Sequence, residues 1–351
     1  RRFLVFFMLH RTFCDAFCMR IKEEIFMQRK DEKKILGKLP PDLLLQGVLR
    51  YSGAERTDVA VGAGLGEDAA VIQWPDAPYL VAASDPVVGA TAGAGRLLVH
   101  INANDVACKG ADPAWLVVTL IIPSDDGVPM IERIMSEVHE TCSELGIAVV
   151  GGHTELTDRY DRPVIVGTML GPSRRLLSAD RIEKGDLLLV TGHAGLEGMS
   201  ILAHDRPDLL SCLDASELDE VRSWQGDLSI VREARLLRDH ARYMHDPTEG
   251  GLEGGLLEIR NACGLGIALD MDAIPISPLT RRAAMALGFD PLHLISSGML
   301  VAVVPPDEAE KARARLGEDG IASSIIGRFM EPRGTCRTDM HEELWGILAR
   351  E

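Results

Sequence analysis

The chain has 351 residues, a hydrophobic fraction of 46%, 26% charged residues and a net charge of −16. That length suits two domains, each with its own core. The acidic balance argues against a nucleic-acid partner, whose affinity rests on clustered Lys and Arg; only local pairs such as Arg174-Arg175 and Arg281-Arg282 occur. The sequence contains no apolar run of the ~18 to 20 residues that a membrane span needs. Seven scattered cysteines without a C-x-x-C pair point to unpaired thiols in a reducing, cytoplasmic compartment.

Residues 1–36 read as an extension ahead of the fold. A basic start and the apolar run Phe3 to Leu9 are followed by no small-x-small cleavage site but by a charged stretch, Lys22 to Lys34, with Met19 and Met27 just downstream. Cys14 and Cys18 lie four apart, and two thiols alone do not complete a zinc site. The folded part opens at Gly37, with Pro40-Pro41-Asp42 leading a helix that carries Leu43, Leu44, Leu45 and Val48. Gly62, Gly64 and Gly66 follow, in a pattern that is neither a P-loop nor a Rossmann fingerprint. Short strands are expected over 69–73 and 79–83, and a helix over 97–110 that leaves Asn104 and Asp105 on or beside its buried face.

Three acidic stops punctuate this stretch: Asp68 in Gly66-Glu67-Asp68-Ala69-Ala70, Asp85 in Ser84-Asp85-Pro86, and Asp105 in Asn102-Ala103-Asn104-Asp105. Each alone fits a turn or cap residue. If all three converge, their charge requires a cation, and magnesium suits, since it takes one or two carboxylates and completes its shell with water and phosphates.

Further on, a strand is expected over 114–122, a helix over 129–145, and a strand over 147–150 that runs into Gly151-Gly152-His153-Thr154-Glu155. Glycines and polar residues at a strand end sit where a sheet presents chemistry at its carboxyl edge. His153 could orient a phosphate or exchange a proton, and it could equally be a loop histidine. A strand over 164–170 and the pair Arg174-Arg175 mark a domain boundary near 170. The second half opens with a strand over 187–191 and the turn Gly192-His193-Ala194-Gly195, for which a glycine-dependent strand-to-helix turn is a sufficient reading. Residues 207–226 read as a polar loop with a short helix, and 229–240 as a helix. Asp246-Pro247-Thr248-Glu249-Gly250-Gly251 then precedes a helix over 253–262, with Asp246 and Thr248 where an N-cap would stand. Strands over 266–271, 299–304 and 323–327 and helices over 278–287 and 308–316 complete a two-domain α/β (α+β) chain.

These motifs carry a family resemblance. G-E-D-A-A, S-D-P and N-A-N-D-V-A-C-K-G-A-D-P resemble the ordered series of the aminoimidazole ribonucleotide synthetase (PurM-like) superfamily. That group holds thiamine-monophosphate kinase, selenophosphate synthetase and the hydrogenase-maturation proteins. D-P-T-E-G-G-L at Asp246 to Leu252 is similar in wording to the hydrogenase-maturation members, with Glu249 in place of their Arg. His153 stands where the thiamine kinase has a metal-binding Asp. The resemblance spans about residues 37–330 and implies an N-terminal ATP/Mg-binding domain at 37–170, a C-terminal domain at 171–335 and a tail at 336–351.

What the resemblance implies chemically is an ATP- and Mg2+-dependent enzyme that phosphorylates or activates an acceptor oxygen, across a homodimer interface. Asp68, Asp85 and Asp105 would carry metal. Asn104, Gly151, Gly152, Thr154, Gly192 and Gly195 would bind the nucleotide. Asp246, Glu249 and His153 would serve the reaction. The hydrogenase-maturation enzyme works through a cysteine at its C-terminus; here Cys336 lies fifteen residues from the end of the sequence. Other readings are a kinase or synthetase of the thiamine-monophosphate or selenophosphate type, and a non-catalytic nucleotide-binding scaffold that acts with a maturation partner.

Overall fold

The computed structural model describes residues 36–67, 69–88, 93–125, 127–332 and 341–350. Asp68, Cys336, Cys14, Cys18 and the expected extension 1–36, apart from its last residue, lie outside them. The first half holds β1 (Gly37–Lys38), α1 (Pro41–Leu44), β2 (Val59–Val61), β3 (Val71–Ile72), β4 (Tyr79–Val88), α2 (Ala94–Cys108), β5 (Trp115–Pro123), α3 (Gly127–Leu145), β6 (Ala148–Thr157) and β7 (Val164–Ser173). The second holds β8 (Leu187–Thr191), α4 (Leu196–Asp205), α5 (Ala215–Ser223), α6 (Val231–Leu237), β9 (Tyr243–His245), α7 (Gly251–Cys263), β10 (Gly266–Leu269), α8 (Pro278–Leu287), β11 (Leu300–Val304), α9 (Ala309–Glu318), β12 (Ser323–Met330) and α10 (Glu343–Leu348).

Each half builds one five-stranded sheet, ordered β1-β6-β5-β7-β4 and β10-β12-β8-β11-β9. Only β5 and β6, joined by the crossover helix α3, run parallel; the other pairs among the described residues are antiparallel. The fold is therefore mixed α+β. Among the described residues no helix is long and apolar enough to cross a membrane.

Helix α3 buries Ile131, Ile134, Met135, Val138 and Cys142, a stripe at helical spacing whose larger members each contribute roughly 1.5–3 kcal/mol. Against it lies α2. Gly95 makes the close crossing, since a Cβ there would sit 2.3 Å from the Ile134 carbonyl oxygen, and its N–H donates to Glu137 Oε2 at 2.8 Å. The two halves are fastened together by Asp112, which accepts from Arg235 Nε and Arg238 Nη1, both at 2.8 Å.

Two expectations about edges change. β4 continues through Asp85 to Val88, so Asp85 lies inside a strand, opposite Gly167 of β7. β6 likewise carries Gly151-Gly152-His153-Thr154 within its length rather than beyond its end. Both strands are long because neighbouring β7 and β5 continue to supply backbone partners.

Candidate active site at the junction of the two sheets

Helix α2 faces β4 on one side and the second half on the other, and its polar residues divide between these tasks. Asn102 is fully buried; its Oδ1 accepts from the Asp85 N–H at 2.9 Å and its Nδ2 donates to the Leu98 carbonyl at 2.9 Å. This clamp holds Asp85 in place. Gly167 gives it room, because a Cβ at that position would meet Asn102 Nδ2 at 2.7 Å. Asn104, expected to touch the nucleotide, is instead fully buried: Nδ2 donates to Leu228 O at 2.8 Å, Oδ1 accepts from Ile230 N–H at 3.0 Å, and the amide also bonds Asp246. It ties the halves together.

Asp105, one residue on, meets Asp85 directly and feels Asp246 nearby. Burial raises its carboxyl to about 8; the Asp246 charge and the Asp85 hydrogen bond and charge add to this, and Lys109 opposes. Asp246 is 3% exposed and is also pushed up by burial, against His245 and the bond from Asn104. Its Oδ2 has no hydrogen-bond partner, and Cys108 Sγ stands 3.9 Å from its Oδ1. Burial and the two neighbouring aspartates keep that thiol well above its ordinary range, hence neutral. Asp105 and Asp246, both pushed up by burial, favour their neutral forms until a cation arrives.

The donor set consists of carboxylate oxygens, which fits magnesium rather than a soft metal. Among the described residues no three His, Cys, Asp or Glu side chains form a complete metal cage. Magnesium does not require one, because phosphate and water fill the remaining positions.

The other predicted residues sit elsewhere. Gly151, Gly152, His153 and Thr154 line a cleft of about 900 Å³ with the glycine-rich segment Gly62 to Gly66; none of Asp85, Asp105 and Asp246 lines it. His153 is half-exposed, with Nε2 3.3 Å from Glu155 Oε2. Gly152 has a structural duty as well, since its φ is +152° and a Cβ would fall 1.9 Å from the Val118 carbonyl oxygen. Gly192 and Gly195 both have positive φ and pack on the 296–298 turn, Gly195 donating to Ser296 Oγ at 2.7 Å. Glu249 is exposed in the turn before α7.

Asp246 and Thr248 do not cap α7. The Gly250 N–H donates instead to Glu342 Oε2 at 2.6 Å, and Glu342 Oε1 accepts from Ile295 at 3.2 Å and from Leu344 at 2.8 Å. The expected tail thus docks through α10, burying Leu344 and Ile347. Sequence reasoning also missed Glu197. It is the single carboxylate in the buried stretch Leu196 to Ala203 apart from the helix end, and it is 6% exposed. A charged residue inside an otherwise apolar helix was the available signal.

Comparison with known proteins agrees with this architecture. Residues 66–172 match the AIR synthase related protein N-terminal domain, and residues 183–337 its C-terminal domain. Carbamoyl dehydratase HypE of Cupriavidus necator is 31% identical over 264 residues, covering 72% of each chain. The crystal structure of E. coli HypE superposes with a TM-score of 0.71 at 25% identity, over 88% of this chain and 98% of that one. A structure of the hydrogenase maturation protein HypE in complex with ATP gives 0.68 at 24% identity, over 83% and 86%. The chain therefore belongs to the AIR synthase-related, PurM-like family of enzymes, with the hydrogenase-maturation protein HypE among its relatives.

Proposed function

We propose that this chain is an ATP- and magnesium-dependent enzyme of the HypE type that phosphorylates or activates an oxygen atom of an acceptor. The observation that carries the reading is the meeting of Asp85 and Asp105 beside Asp246, with Asp105 raised to about 8 by burial and by the neighbouring Asp246 and Asp85 carboxyls. HypE has been solved with ATP, and the family membership supports extending that ligand to this chain.

Asp85 and Asp105 would hold the magnesium, with Asp68 as a third ligand from the glycine-rich segment. Bound there, the ion supplies neutralisation of the triphosphate, the main requirement of phosphoryl transfer. Asn102 fixes the Asp85 backbone, so that ligand is positioned before anything binds. Gly151, Gly152, His153 and Thr154 would line the nucleotide in the cleft, and Asp246 and Glu249 would face the acceptor. The domains would divide as 37–170 and 171–335.

A homodimer is part of this reading, supported by the outer face of the first sheet, where Leu80, Ala82 and Pro86 are exposed and Ile121, Val164 and Val166 half-buried. Action on a partner's group, as a cytoplasmic maturation enzyme, is consistent with the HypE relatives.

The test is calorimetry of ATP with and without Mg2+ on wild type and Asp105→Asn. Magnesium-dependent binding that weakens at least about 100-fold in the variant is expected, the loss of a charged metal ligand being worth about 3 kcal/mol or more. Equal binding in both proteins would remove Asp105 from the site, and no binding in the wild type would sink the enzyme reading.

A further inference from the structure

A second cavity lies in the second half of the chain, between α7, β10 and the turn at Pro291–His293. It holds about 530 Å³, within the range of small-molecule sites. It shares no lining residue with the 900 Å³ cleft, and none of Asp85, Asp105 and Asp246 lines it. Helix α7 brings Glu253, Leu257 and Arg260 to its wall, at the spacing of one helix face. β10 adds Ile267 and Leu269, alternate residues of an edge strand that no further strand covers among the described residues. With Leu256, Ile274 and Leu292 the wall is mostly apolar, and its members Leu269 and Met271 stay exposed.

The charges of this wall are not paired off among themselves. Glu253 is engaged by His293, whose Nε2 stands 3.2 Å from Glu253 Oε2, and the His293 ring meets His341 edge-on with centroids 5.4 Å apart. Arg260 lies about 10 Å along the α7 axis from Glu253, out of its reach. Among the described residues its guanidinium has no carboxylate, carbonyl or ring partner. Arg260 Nε and His293 Nδ1 are both buried without a hydrogen bond. A guanidinium that has lost water at Nε and gained nothing in return is costly, and its fork of donors matches the two oxygens of a carboxylate. One uncommitted cation in an apolar wall that also holds Glu253 favours a monoanion. A phosphate, with up to two charges, would need more than one counter-ion to enter such a place.

We infer that this cavity is a second ligand site, which takes an organic carboxylate with an apolar body. The carboxylate sits against Arg260 and the body lies along α7 and β10, over Leu256, Leu257, Ile267 and Leu269. Because cavity and cleft have no residue in common, the inference stands apart from the ATP reading.

The experiment is calorimetric titration of the full chain with naphthalene-2-carboxylate and with the neutral, near-isosteric naphthalene-2-carboxamide. It uses wild type, Arg260→Gln and Leu269→Trp, each checked for folding by thermal unfolding. Wild type should bind the carboxylate at least about tenfold more tightly than the amide, the scale of one hydrogen bond to a charged group. Arg260→Gln should erase that preference and leave the amide affinity within about twofold. Leu269→Trp puts a larger side chain into the wall and should weaken both probes at least about fivefold. Saturating Mg-ATP should leave the carboxylate affinity within about twofold, as expected for separate sites.

Carboxylate and amide bound equally by wild type, a preference that survives Arg260→Gln, or no binding of either probe would each overturn the inference. Competition with Mg-ATP would place the probe in the cleft and overturn it as well. If Arg260→Gln does not fold, Leu269→Trp still reports where the probe sits, and binding that it leaves unchanged would also overturn the site.

Discussion

The junction of the two sheets and the cleft beside the glycine-rich segment are near opposites. At the junction, Asp105, Asp246 and Glu197 are crowded and raised by burial, and several of their oxygens lack partners. The cleft offers about 900 Å³, and the polar groups on its wall are half-exposed, such as His153, or tied up, such as Arg56 bonded to Asp58 at 2.7 Å. Charge is concentrated where room is least. A nucleotide would reconcile the two, its base and sugar needing space and its phosphates needing a metal held by carboxylates. The difference teaches that, if one nucleotide uses both, volume alone would point to only half of its site.

The largest expected effect separates scaffold from ligand contact within the cleft wall. Gly152→Ala places a Cβ 1.9 Å from the Val118 carbonyl oxygen, whereas the Cβ of Gly151→Ala meets nothing within 4 Å. Chemical denaturation should show a loss of about 3–5 kcal/mol for the first, the range of backbone strain plus a disrupted strand pair, and under about 0.5 kcal/mol for the second. If Gly151 also backs the phosphates, its alanine variant will bind ATP more weakly despite normal stability. Equal stabilities would dissolve the structural role given to Gly152.

At the junction, pH should reveal the missing positive charge. Asp105 is raised from 3.8 unfolded to about 8 folded, so the folded protein binds the extra proton between these values. Stability from this group is fully present below about pH 4 and is lost as pH rises through about 8. Metal-free protein should therefore melt several degrees lower at pH 8 than at pH 6. Asp105→Asn should flatten that slope, and saturating Mg2+ with ATP should reverse it in the wild type. A metal-free melting temperature that rises from pH 6 to pH 8 would contradict the protonated cluster.

How much of this was legible in the sequence follows from the range of the interactions. Helices over 129–145 and 278–287 and the strand over 187–191 were readable from periodicity and local breakers, and the structure forms them within two residues. Asp85, Asp105 and Asp246 could be singled out as candidates because their motifs are short and locally worded. The length of β6 was not, because Gly151-Gly152 looks like a strand end until the paired β5 supplies bonds across it. Nor was the contact at the start of α7, where Glu342 accepts from the Gly250 N–H from 92 residues away. Glu197 was hidden for the same reason: its neighbours Asp246, Ser297 and Glu342 are brought to it only by the fold.

The smallest effect concerns what keeps junction and cleft in one body. Asp112 receives Arg235 and Arg238 from α6 at 2.8 Å each; burial pushes its carboxyl up, but the two guanidinium groups outweigh this and hold it below the usual range. A group with a depressed value contributes stability above its unfolded value, and that contribution is lost as pH falls through the folded one. The pair of bridges is partly exposed, so Asp112→Asn should cost only about 0.5–1 kcal/mol at pH 7, roughly 1–3 degrees in melting temperature, and progressively less as pH falls below the unfolded carboxyl value. Asn104 ties the same two halves through Leu228 and Ile230 from a fully buried position. If the halves move against each other in turnover, Asp112→Asn will change ATP hydrolysis more than it changes stability. If the body is rigid, the two will fall together, and the buried Asn104 contact will be the one that holds the junction closed.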